Sequence, residues 1–109
     1  MYSLLLTAAG ALFFSSATPT AASTPKPATH TVVIEGLQFS PQVLTVKAGD
    51  SVVWINHDPF PHTATAYGGM FDSRKIATGR SWKYTVRKTG VFPYACSLHP
   101  TMLATLRVE

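Results

Sequence analysis

The sequence predicts an all-β domain, an antiparallel sandwich or barrel, and three observations predict it. From His30 onward no stretch keeps a helical apolar period for more than a few residues. Short runs rich in Val, Ile, Thr, Tyr, Phe and Trp recur instead, separated by Gly, Pro, Asn and Asp. One run alternates cleanly, with Trp82, Tyr84 and Val86 on one face and Lys83, Thr85 and Arg87 on the other.

The strands follow in order. TVVIE at 31–35 opens the domain, followed by VLTVK at 43–47 and SVVWIN at 51–56. Ala48-Gly49-Asp50 supplies the turn between the second and third runs. HTATA at 62–66 is the fourth run. Residues 67–80 (YGGMFDSRKIATGR) have no periodicity and read as a long loop with at most one helical turn. SWKYTVR at 81–87, VFPYAC at 91–96 and TLRVE at 105–109 complete the set, with a turn at Thr89-Gly90.

Ahead of the domain lies a different composition. The first charged side chain is Lys26, and Leu4–Phe14 is an apolar run followed by small and polar residues. As a helix the run would reach about 17 Å, short of the roughly 30 Å hydrocarbon core. Residues 1–23 are therefore expected to be an export signal cleaved near Ala22, without stable membrane insertion. Residues 24–29 read as a proline-bearing linker and 30–109 as the folded domain. The destination is the periplasm or another exported location.

Composition excludes several classes. A single cysteine forms no internal disulfide, and 109 residues hold no nucleotide-binding domain beside a substrate domain. The net charge is +4, with Arg74, Lys75, Arg80, Lys83, Arg87 and Lys88 close together in sequence. Such charge steers acidic partners. No base-stacking motif is interleaved with it, so nucleic acid is not an expected partner.

One constellation carries chemistry. Cys96, His99 and Met102 follow one another at intervals of three residues near the C-terminus. Phe92, Tyr94 and Cys96 share a strand face, and the two aromatics mark it as the buried one, so the thiol points inward. A tight loop then turns His99 and Met102 back toward it. His62, which shares strand parity with Ala64 and Ala66, is the best candidate for a fourth ligand. Two imidazoles, a thiolate and a distant thioether suit copper cycling between Cu(I) and Cu(II). Zinc could bind too, but structural zinc sites favour four Cys or His ligands. A Cys/His nucleophilic pair would need an orienting group and a cleft that the sequence does not display. His30 and His57 read as solvated, and Met70 as a packing residue.

The pattern Cys96-x2-His99-x2-Met102 resembles the copper loop of the small blue copper proteins, the cupredoxins, closest to the amicyanin/plastocyanin group. The resemblance extends through Phe39-Ser40-Pro41, Leu44-Thr45-Val46, Ala48-Gly49-Asp50, Val52 to Asn56, Pro61-His62 and Thr89 to Cys96. It implies a Greek-key β-sandwich or barrel holding one type 1 copper ion on His62, Cys96, His99 and Met102. It also implies that Asn56 ties the ligand-bearing loops together near the sulfur. Pro100 has no N–H to offer that sulfur, so the Asn56 backbone N–H is expected to supply the donor. The resemblance departs at Ala104, where the family commonly has glycine, and a positive φ there would strain alanine.

The expected activity is one-electron transfer between a redox donor and acceptor by a monomer, not an enzyme. Four histidines do not supply a second copper site. Phe60, Pro61, Leu98 and Pro100 would ring His99 as a docking patch for a redox protein with an acidic surface. The alternative is a copper-handling protein that stores or delivers the ion from the same site.

Overall fold

The computed structural model describes residues 3, 9–16 and 26–109. The expected signal segment and the start of the linker lie largely outside the described residues. No described helix is long and apolar enough to cross a membrane.

Among the described residues, eight strands form two four-stranded sheets. They are β1 (Thr29–Glu35), β2 (Gln38–Ser40), β3 (Val43–Val46), β4 (Ser51–Asn56), β5 (Thr65–Ala66), β6 (Ser81–Thr85), β7 (Gly90–Cys96) and β8 (His99–Val108). One sheet has the order β2-β1-β4-β6, and the other β3-β8-β7-β5. The all-β sandwich is therefore present, with two refinements. The pairs β1–β4 and β3–β8 are parallel, so both sheets are mixed. A short strand at Gln38–Ser40, too brief to show alternation, pairs with β1 across a Gly36-Leu37 turn whose two residues both have φ of 61°.

Alternation sets the core. Val32 and Ile34 of β1, Val52 and Trp54 of β4, Tyr94 of β7 and Leu106 of β8 meet between the sheets, each almost fully buried. Trp54 stands at the centre of an aromatic cluster, its ring 5.4 to 5.7 Å from Phe71, Trp82 and Tyr94. Its Nε1–H donates to the Tyr94 hydroxyl at 3.3 Å. Burial pushes the Tyr94 phenol up to about 12, which keeps it neutral beside the site.

The 67–80 segment forms no helix. It serves as a strap, pairing with the preceding segment at His62↔Ile76 and Thr65↔Asp72. His30 is not simply solvated: it lies in β1 and its Nε2 is 2.9 Å from the Asp50 carboxylate. Asp50 also accepts from the backbone N–H groups of Ala28 and Lys47. These partners hold its carboxyl down at about 2 and fasten the entry to β1 onto the turn after β3.

Candidate metal centre

The site lies at one end of the sandwich, where β4 ends and β7 turns into β8. Cys96 is the last residue of β7 and His99 the first of β8, directly opposite each other across Ser97-Leu98. Beyond this pair the register shifts, so that Ala95 faces Leu103 and residues 100–102 form a bulge. A bulge bends its strand and re-aims a side chain. Here Pro100 and Thr101 are exposed while Met102 is buried, only 3% accessible. The ladder therefore begins at His99 and not at Thr105. Ala104 lies within it, buried opposite Tyr94 and absent from the positive-φ residues, so alanine is unstrained there.

His62 arrives from the segment after β4, and Asn56 shapes that segment. The Asn56 side chain is fully buried, donates to the carbonyls of Phe60 and Ile76, and accepts from the Asp58 N–H, all at 2.9 Å. His62 then exchanges backbone hydrogen bonds with Ile76, and Ala64 is held by Ser73. His62, Ala64 and Ala66 all point inward, as strand parity predicts, but ladder pairing with β7 is confined to Thr65 and Ala66.

The ladder stops short of Thr63, whose N–H donates to Cys96 Sγ at 3.3 Å. This corrects the expectation for Asn56, whose backbone N–H donates to the Arg80 carbonyl. The two ligand-bearing loops are tied by Thr63 as well: its Oγ1 accepts from the Ser97 N–H at 2.8 Å and lies 3.0 Å from Ser97 Oγ. Asn56 organises one loop only. No spacing signal marks Thr63 or Ser97 in the sequence, since hydroxyl residues are common in strands and turns.

The donor atoms converge. One ligand atom each from His62, Cys96 and His99 lie within 4.8 Å of one another. Cys96 Sγ is 3.6 Å from His62 Nδ1 and 3.8 Å from His99 Nδ1. A metal bonding nitrogen at about 2.0 Å and sulfur at about 2.3 Å, roughly 120° apart, separates such donors by about 3.7 Å. The spacing therefore fits a trigonal set of two nitrogens and one sulfur. Cys96 and His62 have no solvent exposure, and His99 is half-buried. The His62 ring is fixed from behind by Asp58, whose Oδ2 lies 2.7 Å from Nε2. Burial raises the Asp58 carboxyl, but the Leu37 and Gly36 N–H groups and His62 outweigh it and hold the group below its ordinary value.

Around His99 the surface is apolar. Phe60 is 38% and Leu98 43% exposed, with Pro61 and Pro100 also exposed, and the Phe60 ring lies 5.6 Å from His99. His57 lies outside the cluster, half-exposed and 4.0 Å from Glu35.

Comparisons with known proteins agree with this geometry. A family model described as a cupredoxin-like domain matches residues 5–108. Amicyanin from Paracoccus versutus is 29% identical over 89 residues, 76% of this chain and 67% of that protein. The chain thus spans about two thirds of that relative's length. The structure of an amicyanin variant in the Cu(I) form superposes with a TM-score of 0.70 and 26% identity, over 74% of this chain and 82% of that one. A copper-containing nitrite reductase from Thermus scotoductus superposes at 0.71 with 28% identity, over 84% of this chain but 25% of that one.

Proposed function

The chain belongs to the cupredoxin-like family, and from that membership we propose an exported one-electron carrier with one type 1 copper ion on His62, Cys96, His99 and Met102. The observation that carries the proposal is the buried thiol with two imidazole nitrogens at 3.6 and 3.8 Å, within a fold shared with copper proteins. When bound, copper supplies the Cu(I)/Cu(II) couple. The protein's part is to keep the donor atoms in one arrangement and to exclude water.

Each residue has a physical task in this reading. Cys96 supplies the thiolate, and the Thr63 N–H donates to its sulfur, which stabilises negative charge there. His62 is the buried, clamped ligand, while His99 reaches the surface and offers its ring edge as the route for the electron. Met102 provides the soft fourth donor from the bulge. The Phe60, Pro61, Leu98 and Pro100 rim excludes water and docks the partner. In this reading residues 1–23 are the export signal, 24–29 the linker and 30–109 the copper domain.

Charge defines the partner. All nine lysines and arginines are exposed, whereas Asp50 and Asp58 are buried and hydrogen-bonded inside. Arg74 and Lys75 precede Ile76, which pairs with His62, and the Arg80 carbonyl accepts the Asn56 N–H. These three cations therefore flank the metal end. An acidic redox protein fits that surface, the apolar rim forming the centre of contact and the cations its edge.

Full burial of Cys96 and His62 favours electron exchange over release of the ion, and the match to only a quarter of the reductase favours a carrier over that enzyme's chemistry. Voltammetry of the copper-loaded chain tests the proposal. A reversible one-electron wave, lost in Cys96→Ala, is expected. No reversible wave, or fast surrender of copper to a chelator, would refute it.

A further inference from the structure

One line of aromatic rings in the core has no part in holding the metal. It contains both tryptophans and two of the four tyrosines of the chain. Trp82 and Tyr84, stacked at 5.6 Å with planes 10° apart, stand half-buried on β6, the edge strand of its sheet. Trp54 lies directly opposite Trp82 on β4, fully buried, with ring centroids 5.5 Å apart. Tyr94 comes next, 5.7 Å from Trp54 and joined to it by the hydrogen bond from Nε1–H to the phenol oxygen. On β7 Tyr94 shares its inward face with Cys96, two residues further along.

An aromatic core needs only rings at such spacings. This one sets its readily oxidised rings, tryptophan and tyrosine, in an unbroken line from the sheet edge to the strand that carries the thiol. Phe71, far harder to oxidise, packs beside the line and is not a step in it. We propose that Trp82 and Trp54 form a hopping route that carries an oxidising equivalent from the sheet edge to the metal centre, so that copper and not the aromatic core absorbs it. The inference rests on the copper reading for its last step, whereas the passage from Trp82 to Trp54 does not.

The electrons balance without net change to the chain. A one-electron oxidant at the surface, such as a peroxyl radical, takes an electron from Trp82 and a proton from water and becomes a hydroperoxide. Trp82 regains its electron from Trp54, and Trp54 from Cu(I), which is left as Cu(II). Every ring ends as it began, and no bond in the protein is made or broken. Tyr94 bridges the last gap without becoming a radical itself. Its phenol would have to give a proton to a base, and its hydrogen bond runs the other way, from the Trp54 N–H.

The test compares the full chain loaded with Cu(I) and with redox-inert Zn(II). The oxidant is photogenerated tris(bipyridine)ruthenium(III), too bulky to enter the core. The tryptophan radical absorption should decay several-fold faster in the Cu(I) form, at the rate at which the thiolate–Cu(II) band rises and independent of protein concentration. Equal lifetimes, or a decay that scales with protein concentration, would overturn the proposal. In a folded Trp54→Phe carrying Cu(I) the faster decay should vanish, and its survival would equally overturn it. The inner step is read without metal in Cys96→Ala. Peptide mass spectrometry should find oxidised Trp54 there, although that ring is fully buried, and none once Trp82→Phe is added. Trp54 left intact beside a modified Trp82, or oxidised without Trp82, would break the route. A Cu(I) chain that never develops the thiolate–Cu(II) band on oxidation would instead sink the copper reading, and the Cys96→Ala result would still judge the step from Trp82 to Trp54.

Discussion

At the scale of single residues, the site depends on a few buried polar side chains with several partners each. Thr63 joins the two ligand-bearing loops through Ser97, so Thr63→Ala should cost about 1–3 kcal/mol, measured by denaturant unfolding of the metal-free protein. Asn56→Ala removes three hydrogen bonds and leaves the Phe60 carbonyl and the Asp58 N–H without that partner, while the Ile76 carbonyl keeps the His62 N–H. A loss of about 3 kcal/mol or more is expected, and a change under about 1 kcal/mol would contradict the role given to Asn56. The cluster of Cys96, His62 and His99 is legible in the sequence, because a lone cysteine with His and Met at fixed intervals is unusual. Asp58 and Thr63 are not: they act through one N–H or one carboxylate oxygen, and only three-dimensional placement reveals which. The lack of an N–H at Pro100 points to the Asn56 N–H as the donor to the sulfur, but that N–H closes the turn onto Arg80.

Elements show a similar division. Periodicity locates six of the strands to within a few residues, since a half-buried strand writes its pleat into the sequence. It misses β2, which has three residues, and places the start of β8 too late, because the bulge at residues 100–102 interrupts alternation. Parallel pairing of β1 with β4 is a property of topology that no local pattern carries. Gly90 offers an element-scale prediction at the start of β7. Its φ is +147° and an added Cβ would sit 3.1 Å from the Phe92 ring. Gly90→Ala should therefore lower stability by about 1–3 kcal/mol in thermal or denaturant unfolding. An unchanged protein would mean that the turn can relax.

For the molecule as a whole, charge and its distribution decide behaviour. Asp50 has its carboxyl lowered to about 2 from an ordinary 3.8, so its contribution to stability is complete above pH 4 and lost as pH falls toward 2. The metal-free protein should lose stability across that acid window, and Asp50→Asn should flatten the slope there. A slope unaffected by the substitution would place the acid sensitivity elsewhere. The basic surface predicts fast electron exchange with an anionic probe such as hexacyanoferrate, slowing as salt rises. Reversing Arg74, Lys75 and Arg80 to glutamate should slow it roughly tenfold or more at low salt. The same reversal at Lys47, Arg87 and Lys88, which lie toward the opposite end, should do far less. Equal effects from both triples would show that net charge matters and the metal-end cations do not.

The most direct test of the central claim is the visible absorption spectrum of the full chain after Cu(II) addition, with Cys96→Ala alongside. An intense blue band, bleached by reductant and absent from the variant, is the expected result. A colourless product, or a band that survives loss of Cys96, would contradict a thiolate–copper centre and the electron-carrier function built on it.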